Sequence, residues 1–224
     1  MAYKGTGSPN NHAPSIAHSL GVVPELVICK KRSGTSNWAV VSKVGNGGVQ
    51  AYLDADNGNV GTLATTGPNN VWANYFTATA TVGDGGSGSA YHSPFPVTNL
   101  NVSGSTYIMY LFASLAGVSK VGSYTGTGDA SAQTIDCGFS NGARFVLIKC
   151  TSHAGQWYLF DSVRGITSTN SDPVLMLNLT NAQSTESSFF GSAVDPMQPD
   201  SSGFKVQYSD LNTNGRTFMF YAVA

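Results

Sequence analysis

Leu26-Val27-Ile28-Cys29-Lys30 returns, further along the same chain, as Phe145-Val146-Leu147-Ile148-Lys149. Each is a short run of β-branched and large apolar residues ending in a lysine, bounded by Gly, Asn, Ser and Thr clusters. A pleated, half-buried backbone favours that composition. Outward from this pair the repetition continues. Tyr3-Lys4-Gly5-Thr6-Gly7 returns as Tyr124-Thr125-Gly126-Thr127-Gly128, and Trp38 returns as Trp157. Leu100-Asn101, followed by Gly104, Thr106, Tyr107 and Tyr110, returns as Leu211-Asn212, followed by Gly215, Thr217, Phe218 and Tyr221. Similarity over so long a period predicts two copies of one domain rather than a solenoid of small repeats.

Further runs of the same kind are Trp38–Val41, Thr106–Ala113, Trp157–Phe160, Phe204–Tyr208 and Thr217–Val223, and no segment carries a 3.6-residue apolar period with caps at both ends. The expected fold is all-β: two tandem, homologous β-sandwich domains of jelly-roll type, residues 1–118 and 119–224, arising by internal duplication. Ala116 to Ser123 is short and lacks a Pro-rich or charged linker, so it reads as a tight junction. Phe204-Lys205-Val206-Gln207-Tyr208 alternates with its apolar side chains on one face. Its first-copy counterpart carries Pro94 and Pro96 at the outward positions, which predicts an edge strand there.

Lys30 and Lys149, and Trp38 and Trp157, are 119 positions apart, whereas Leu100 and Leu211, and Tyr110 and Tyr221, are 111 apart. Copy one therefore holds a surplus of eight residues between Val41 and Phe95, expected in the polar stretch Asn57 to Asn74. Trp72, Tyr75 and Phe76, in or beside that stretch, are the candidate surface-binding residues, because exposed aromatic rings stack on sugars or anchor protein interfaces.

Composition excludes more than it assigns. Charged residues make up 10% of the 224 residues, 11 Lys and Arg stand against 12 Asp and Glu, and the formal net charge is −1. No basic patch of the kind that grips nucleic acid or an anionic membrane surface is present in that distribution. Met1 to Gly5 carries no apolar leader, and Tyr107 to Val118 is too short an apolar stretch to span a bilayer, so neither secretion nor membrane insertion is expected. Cys29, Cys137 and Cys150 are odd in number and fall at unmatched positions in the two copies, which predicts free thiols in a protein made in a reducing cytoplasm.

Catalytic and cofactor motifs are not expected. Gly5-Thr6-Gly7 and Gly126-Thr127-Gly128 lack the lysine and the strand–loop–helix setting of a phosphate loop, and read as turn or strand-entry residues. His12, His18, His92 and His153 have no partner at metal-ligand spacing. Asp54-Ala55-Asp56-Asn57-Gly58-Asn59 resembles a calcium loop only in part, with Thr65 where the bidentate Glu belongs, and reads as an Asn-Gly turn. Of the carboxylates that glycoside hydrolysis could draw on, Asp161, Asp172, Glu186 and Asp195 are scattered in copy two, only Asp84 lines up opposite Asp195, and two glycine- or proline-rich loops explain that pair.

The Tyr-x-Gly-x-Gly element, Gly21-Val22-Val23-Pro24-Glu25 leading into Leu26 to Lys30, the turn before Asn37-Trp38 and the closing Gly-x-Thr-Tyr/Phe element together resemble a domain found in phage tail and virion surface proteins. Copy two departs from it by carrying Gly142-Ala143-Arg144 where copy one has Val-Pro-Glu. The resemblance implies a non-enzymatic structural protein of the virion surface, part of the tail or tail-fibre apparatus. The alternatives are a capsid decoration protein and a carbohydrate-binding, host-recognition adhesin. The implied partners are other virion proteins, further copies of the chain (a trimer, from the class) and a host surface glycan. No cofactor or metal is implied.

Overall fold

The computed structural model describes residues 1–7, 16–44, 49–56, 102–169, 172–190, 195–207 and 210–224. Contacts divide the chain into two units: Met1–Leu53 with Asn59–Ala113, and Asp54–Gly58 with Ser114–Ala224. The described residues are nearly all β, as the apolar runs predict, and every strand pairing among them is antiparallel.

In the first unit, β1 (Ala2–Lys4), β2 (Leu26–Lys31), β3 (Ala39–Ser42), β4 (Val49–Tyr52) and β5 (Thr106–Phe112) form a five-stranded sheet in the order β1-β5-β2-β3-β4. Val27, Cys29, Ala39, Val41, Tyr107 and Met109 form one buried cluster on it. Leu26, Ile28 and Val40 alternate with these along β2 and β3 and are also buried, so the sheet is covered on both faces.

In the second unit, β6 (Ser119–Thr125), β8 (Phe145–Cys150), β9 (Trp157–Asp161), β10 (Pro173–Met176), β11 (Ser184–Thr185) and β14 (Thr217–Val223) form a six-stranded sheet. From its β6 edge the order is β6-β14-β8-β9-β10-β11. A three-stranded sheet of β12 (Met197–Asp200), β13 (Gly203–Val206) and β7 (Gln133–Asp136) faces it. One core joins the two sheets: Val146, Ile148, Phe160, Phe218 and Phe220 from the larger, and Ile135, Met197, Phe204 and Val206 from the smaller. Phe204 meets Phe220 edge to face at 5.3 Å between ring centroids, across the middle of this sandwich. A single turn of helix, α1 (Glu186–Phe190), follows β11.

Strand by strand, the two larger sheets share both order and register. Tyr3 faces Tyr107 as Tyr124 faces Phe218, Lys30 faces Ile108 as Lys149 faces Met219, and Cys29 faces Ala39 as Ile148 faces Tyr158. The aromatic pairs repeat too: Tyr3 stacks on Tyr107 at 4.9 Å and 13°, and Tyr124 on Phe218 at 4.9 Å and 11°.

Three expectations change in the light of the pairing. The junction residues Ser119 to Ser123 belong to β6, which pairs with β14 along its whole length, and the contact boundary falls between Ala113 and Ser114. The Gly-x-Gly segments follow β1 and β6 rather than entering a strand. They allow close approach: a Cβ at Gly7 would lie 2.5 Å from Cβ of Ser103, and one at Gly128 would lie 2.7 Å from Cβ of Asn214, with φ at 64° and 71°. The surplus of copy one is the net of two opposite differences. Ala39 pairs with Tyr52 and Tyr158 with Met176, so β4 and β10 correspond at 124 positions apart. The β9–β10 connection is therefore five residues longer than its counterpart, and the first half is longer by thirteen between β4 and β5.

β13 lies in the middle of its sheet, between β12 and β7. Lys205 keeps the backbone N–H that a proline lacks, so this strand can pair on both sides, while Pro199 sits on the edge strand β12. The first-half counterpart with Pro94 and Pro96 lies outside the described residues.

Candidate functional site

Trp72, Tyr75 and Phe76 lie outside the described residues, as do Asp84, His12 and His92. The repeated residues inside the described region converge instead on one element, a lysine that bridges a hairpin turn beside a tryptophan.

In the first unit, the Lys30 ammonium leaves β2 and donates to the Ser36 carbonyl in the β2–β3 turn. It also lies 5.5 Å from the ring centroid of Trp38. Trp38 stacks on Tyr110 of β5 at 6.5 Å and 23°. Lys30 and Trp38 are half-buried and Tyr110 is 43% exposed, so the group presents a cation and two rings at the sheet surface. In the second unit, Lys149 donates to the Gly155 carbonyl at 2.6 Å, and Gly155 stands where Ser36 stands. Lys149 and Trp157 are both fully buried. Lys149 gains a second acceptor, the Asp56 carbonyl at 3.1 Å, and Gly155 N–H donates to the same oxygen at 2.7 Å. Burial holds the Lys149 ammonium down to about 8, against the smaller opposing influence of Cys150 and Asp56. Trp157 N–H on the backbone donates to Asn178 Oδ1 at 2.9 Å, and Asn178 donates in turn to Gln156.

The other perturbed groups also serve the fold. Burial raises the Tyr3, Tyr124 and Tyr158 hydroxyls well above their ordinary range. The Tyr124 hydroxyl donates to the Leu211 carbonyl at 2.7 Å, and the Tyr158 hydroxyl donates to Asp210 at 3.4 Å. All three cysteines are free and buried. Burial pushes the Cys29 thiol up to about 11 and the Cys137 thiol up to about 12, which leaves them protonated and inert at neutral pH.

Two of the carboxylates considered for acid–base work, Asp172 and Asp161, are held as structural acceptors. Asp172, buried, accepts from the Thr167 hydroxyl at 2.6 Å and from the Thr167 amide. Partial burial opposes the charge of Asp161, yet the Arg164 and Val163 amides and the Arg164 guanidinium, paired at 2.5 Å, outweigh it and hold the carboxyl below its usual range. Among the described residues no three His, Cys, Asp or Glu side chains gather as a metal site would require. No helix there is long and apolar enough to cross a membrane.

Open depressions are lined by described residues in each unit. In the first unit, His18, Leu20, Met109, Tyr110 and Phe112 line a groove of about 790 Å³. In the second, the loops around Ser140 to Arg144, Ser162 to Ile166 and Pro199 to Ser201 enclose a cleft of about 430 Å³. Sequence reasoning missed both. The signal for the second was present in the replacement of Val-Pro-Glu by Gly142-Ala143-Arg144.

No curated protein and no solved structure matches the chain. A family profile does, from residue 1 to residue 224, and the chain belongs to that family, described as a domain of unknown function, DUF7483.

Proposed function

We propose that this chain is a non-enzymatic structural protein of a phage virion surface, part of the tail or tail-fibre apparatus, built by duplication of one β-sandwich. The observation that carries the reading is the shared lysine brace. Lys30 and Lys149, the repeated lysines of the sheets, donate to backbone carbonyls of the corresponding turn. Buried phenols, thiols and carboxylates are likewise engaged in holding strands and loops. A low-charge polar coat over two such units suits passive presentation in a repeated assembly, where symmetry multiplies weak contacts. The resemblance of the Tyr-x-Gly-x-Gly and Gly-x-Thr-Tyr/Phe elements to phage tail and virion domains supplies the setting. Other virion proteins and further copies of the chain are the partners in this reading.

The test is to locate the protein in purified particles by epitope-specific gold labelling. Label on the tail is the expected result. Label on the head would replace this reading by that of a capsid decoration protein, and particles free of the protein would overturn both. Release of reducing ends from host polysaccharide by the purified chain would overturn its non-enzymatic character.

A further inference from the structure

The cleft of the second unit is built on a backbone that both halves share. Arg144 N–H donates to the Val223 carbonyl as Glu25 N–H does to that of Phe112, at 2.8 and 2.7 Å. Ser162 N–H donates to the Arg144 carbonyl as Lys43 N–H does to that of Glu25, at 2.8 and 2.9 Å. On this common frame the side chains differ. Arg144 stands where the first half has Glu25, Asn141 where it has Val22, and Ser162 where it has Lys43. A charge is reversed, a second is replaced by a hydroxyl, and an exposed apolar residue is replaced by an amide.

The cleft is also closed in a way that spares its polar side chains. Gly142 N–H donates to the Ser201 carbonyl and Ala143 N–H to that of Gly203, each at 2.8 Å. This docks the β7–β8 loop on the β12–β13 hairpin. Gly142 has a φ of 79°, and a Cβ there would lie 2.7 Å from the Asp200 carbonyl oxygen, so glycine is required for the loop to seat. Asp200, on the wall, is committed elsewhere. It accepts from the Ser202 hydroxyl at 2.7 Å and pairs with Lys205 at 3.2 Å. Nearby Arg164 is paired with Asp161. Arg144 is exposed, and no described residue pairs or hydrogen-bonds with its guanidinium. The Ser140, Ser162 and Ser201 hydroxyls and the Asn141 amide likewise have no partner among the described residues. Ile166 adds an apolar patch to the wall.

We infer that this cleft binds an acidic saccharide. The planar fork of Arg144 matches a sugar carboxylate in two parallel hydrogen bonds. The three serine hydroxyls and the Asn141 amide offer both donors and acceptors for ring hydroxyls. Ile166 takes the C–H face of the ring. The site is specific to the second half, since Glu25 would repel the same carboxylate. It does not depend on the virion assignment, and its failure would leave that assignment standing.

The experiment is a titration of the isotope-labelled full chain, followed by amide resonances, with trigalacturonate, its methyl ester, inorganic phosphate and a hexaglutamate peptide. Trigalacturonate is expected to shift the amides of residues 140–144, 162, 200 and 201 with millimolar saturation. The methyl ester is expected to bind at least about tenfold more weakly, the loss that one charge-assisted contact represents. Arg144→Glu should weaken trigalacturonate by at least the same factor while leaving the remaining spectrum in place, and Arg144→Gln serves if that variant fails to fold. No shifts, shifts that persist in the Arg144 variant, or equal shifts from phosphate or from a hexaglutamate peptide would each overturn the assignment.

Discussion

Lys30 and Lys149 perform one task in two surroundings. Each reaches from the second strand of its sheet to a turn carbonyl six residues on, and each sits beside a tryptophan at the entry to the next strand. Lys30 is half-buried with its ammonium over Trp38, whereas Lys149 and Trp157 are fully buried and Lys149 takes Asp56 as a second acceptor. What the halves hold in common is the hydrogen bond that fixes the β-hairpin. What differs is how far the surrounding chain removes it from water. Similarity between the two halves thus reports on the frame, and difference reports on the environment built around it.

The widest gap should be between the tryptophans. Trp157→Ala removes a fully buried ring and should cost ~3–5 kcal/mol, enough to unfold much of the second unit. Trp38→Ala, at a half-buried position, should cost about 1 kcal/mol. Urea unfolding of the two variants checks this, and equal losses would break the contrast. The glycine pair should behave alike. Gly7→Ala and Gly128→Ala each place a Cβ against the Cβ of Ser103 or Asn214 at positive φ, and each should lose about 2 kcal/mol. A large loss at one and none at the other would show that the shared turn is not shared in energy.

The smallest effect is the pH dependence of Lys149. Its ammonium is held at about 8 in the folded chain, against an ordinary 10.5, so the unfolded chain binds more protons between these values. The Lys149 contribution to stability should therefore rise with pH across that window, with the burial cost fully present below pH 8. Between pH 8 and 9 the gain should be about 1 kcal/mol, and Lys149→Met should abolish it. From about pH 8 upward the raised thiols act in the opposite sense. Cys29 and Cys137 stay protonated in the fold while the unfolded chain ionises, so stability is lost as pH climbs toward about 11 and 12. The thiols are common to the parent chain and to Lys149→Met, so the difference between their urea-derived stabilities at pH 8 and 9 isolates the lysine.

Much of this comparison was legible in the sequence, and the failures have physical causes. β2, β5, β8 and β14 are rich in Val, Ile, Leu, Phe and Tyr and were readable from composition and alternation. β6, Ser119–Thr125, reads as a junction because it buries only Val121 and Tyr124 and carries Gly122 at its centre. That glycine lies under the Phe220 ring, which a Cβ would meet at 2.4 Å, so a small residue is what the pairing demands. β4 and β10, Val-Gln-Ala-Tyr and Pro-Val-Leu-Met, share no residue in register, which hid the opposed length differences behind a net surplus of eight. Of the functional features, the lysines and tryptophans were visible as repeats, but their different burial was not. The cleft needed the folded chain, because Ser140, Ser162 and Ser201 come from three separate connections.

The central claim is that one antiparallel sheet is used twice in the same register. Cross-strand Hα–Hα and amide Overhauser contacts in the full chain test it most directly. The account predicts contacts for Tyr3 with Tyr107 and Tyr124 with Phe218, and for Cys29 with Ala39 and Ile148 with Tyr158. A one-residue slip in either half would turn its inward side chains outward, and finding such a slip would contradict the account.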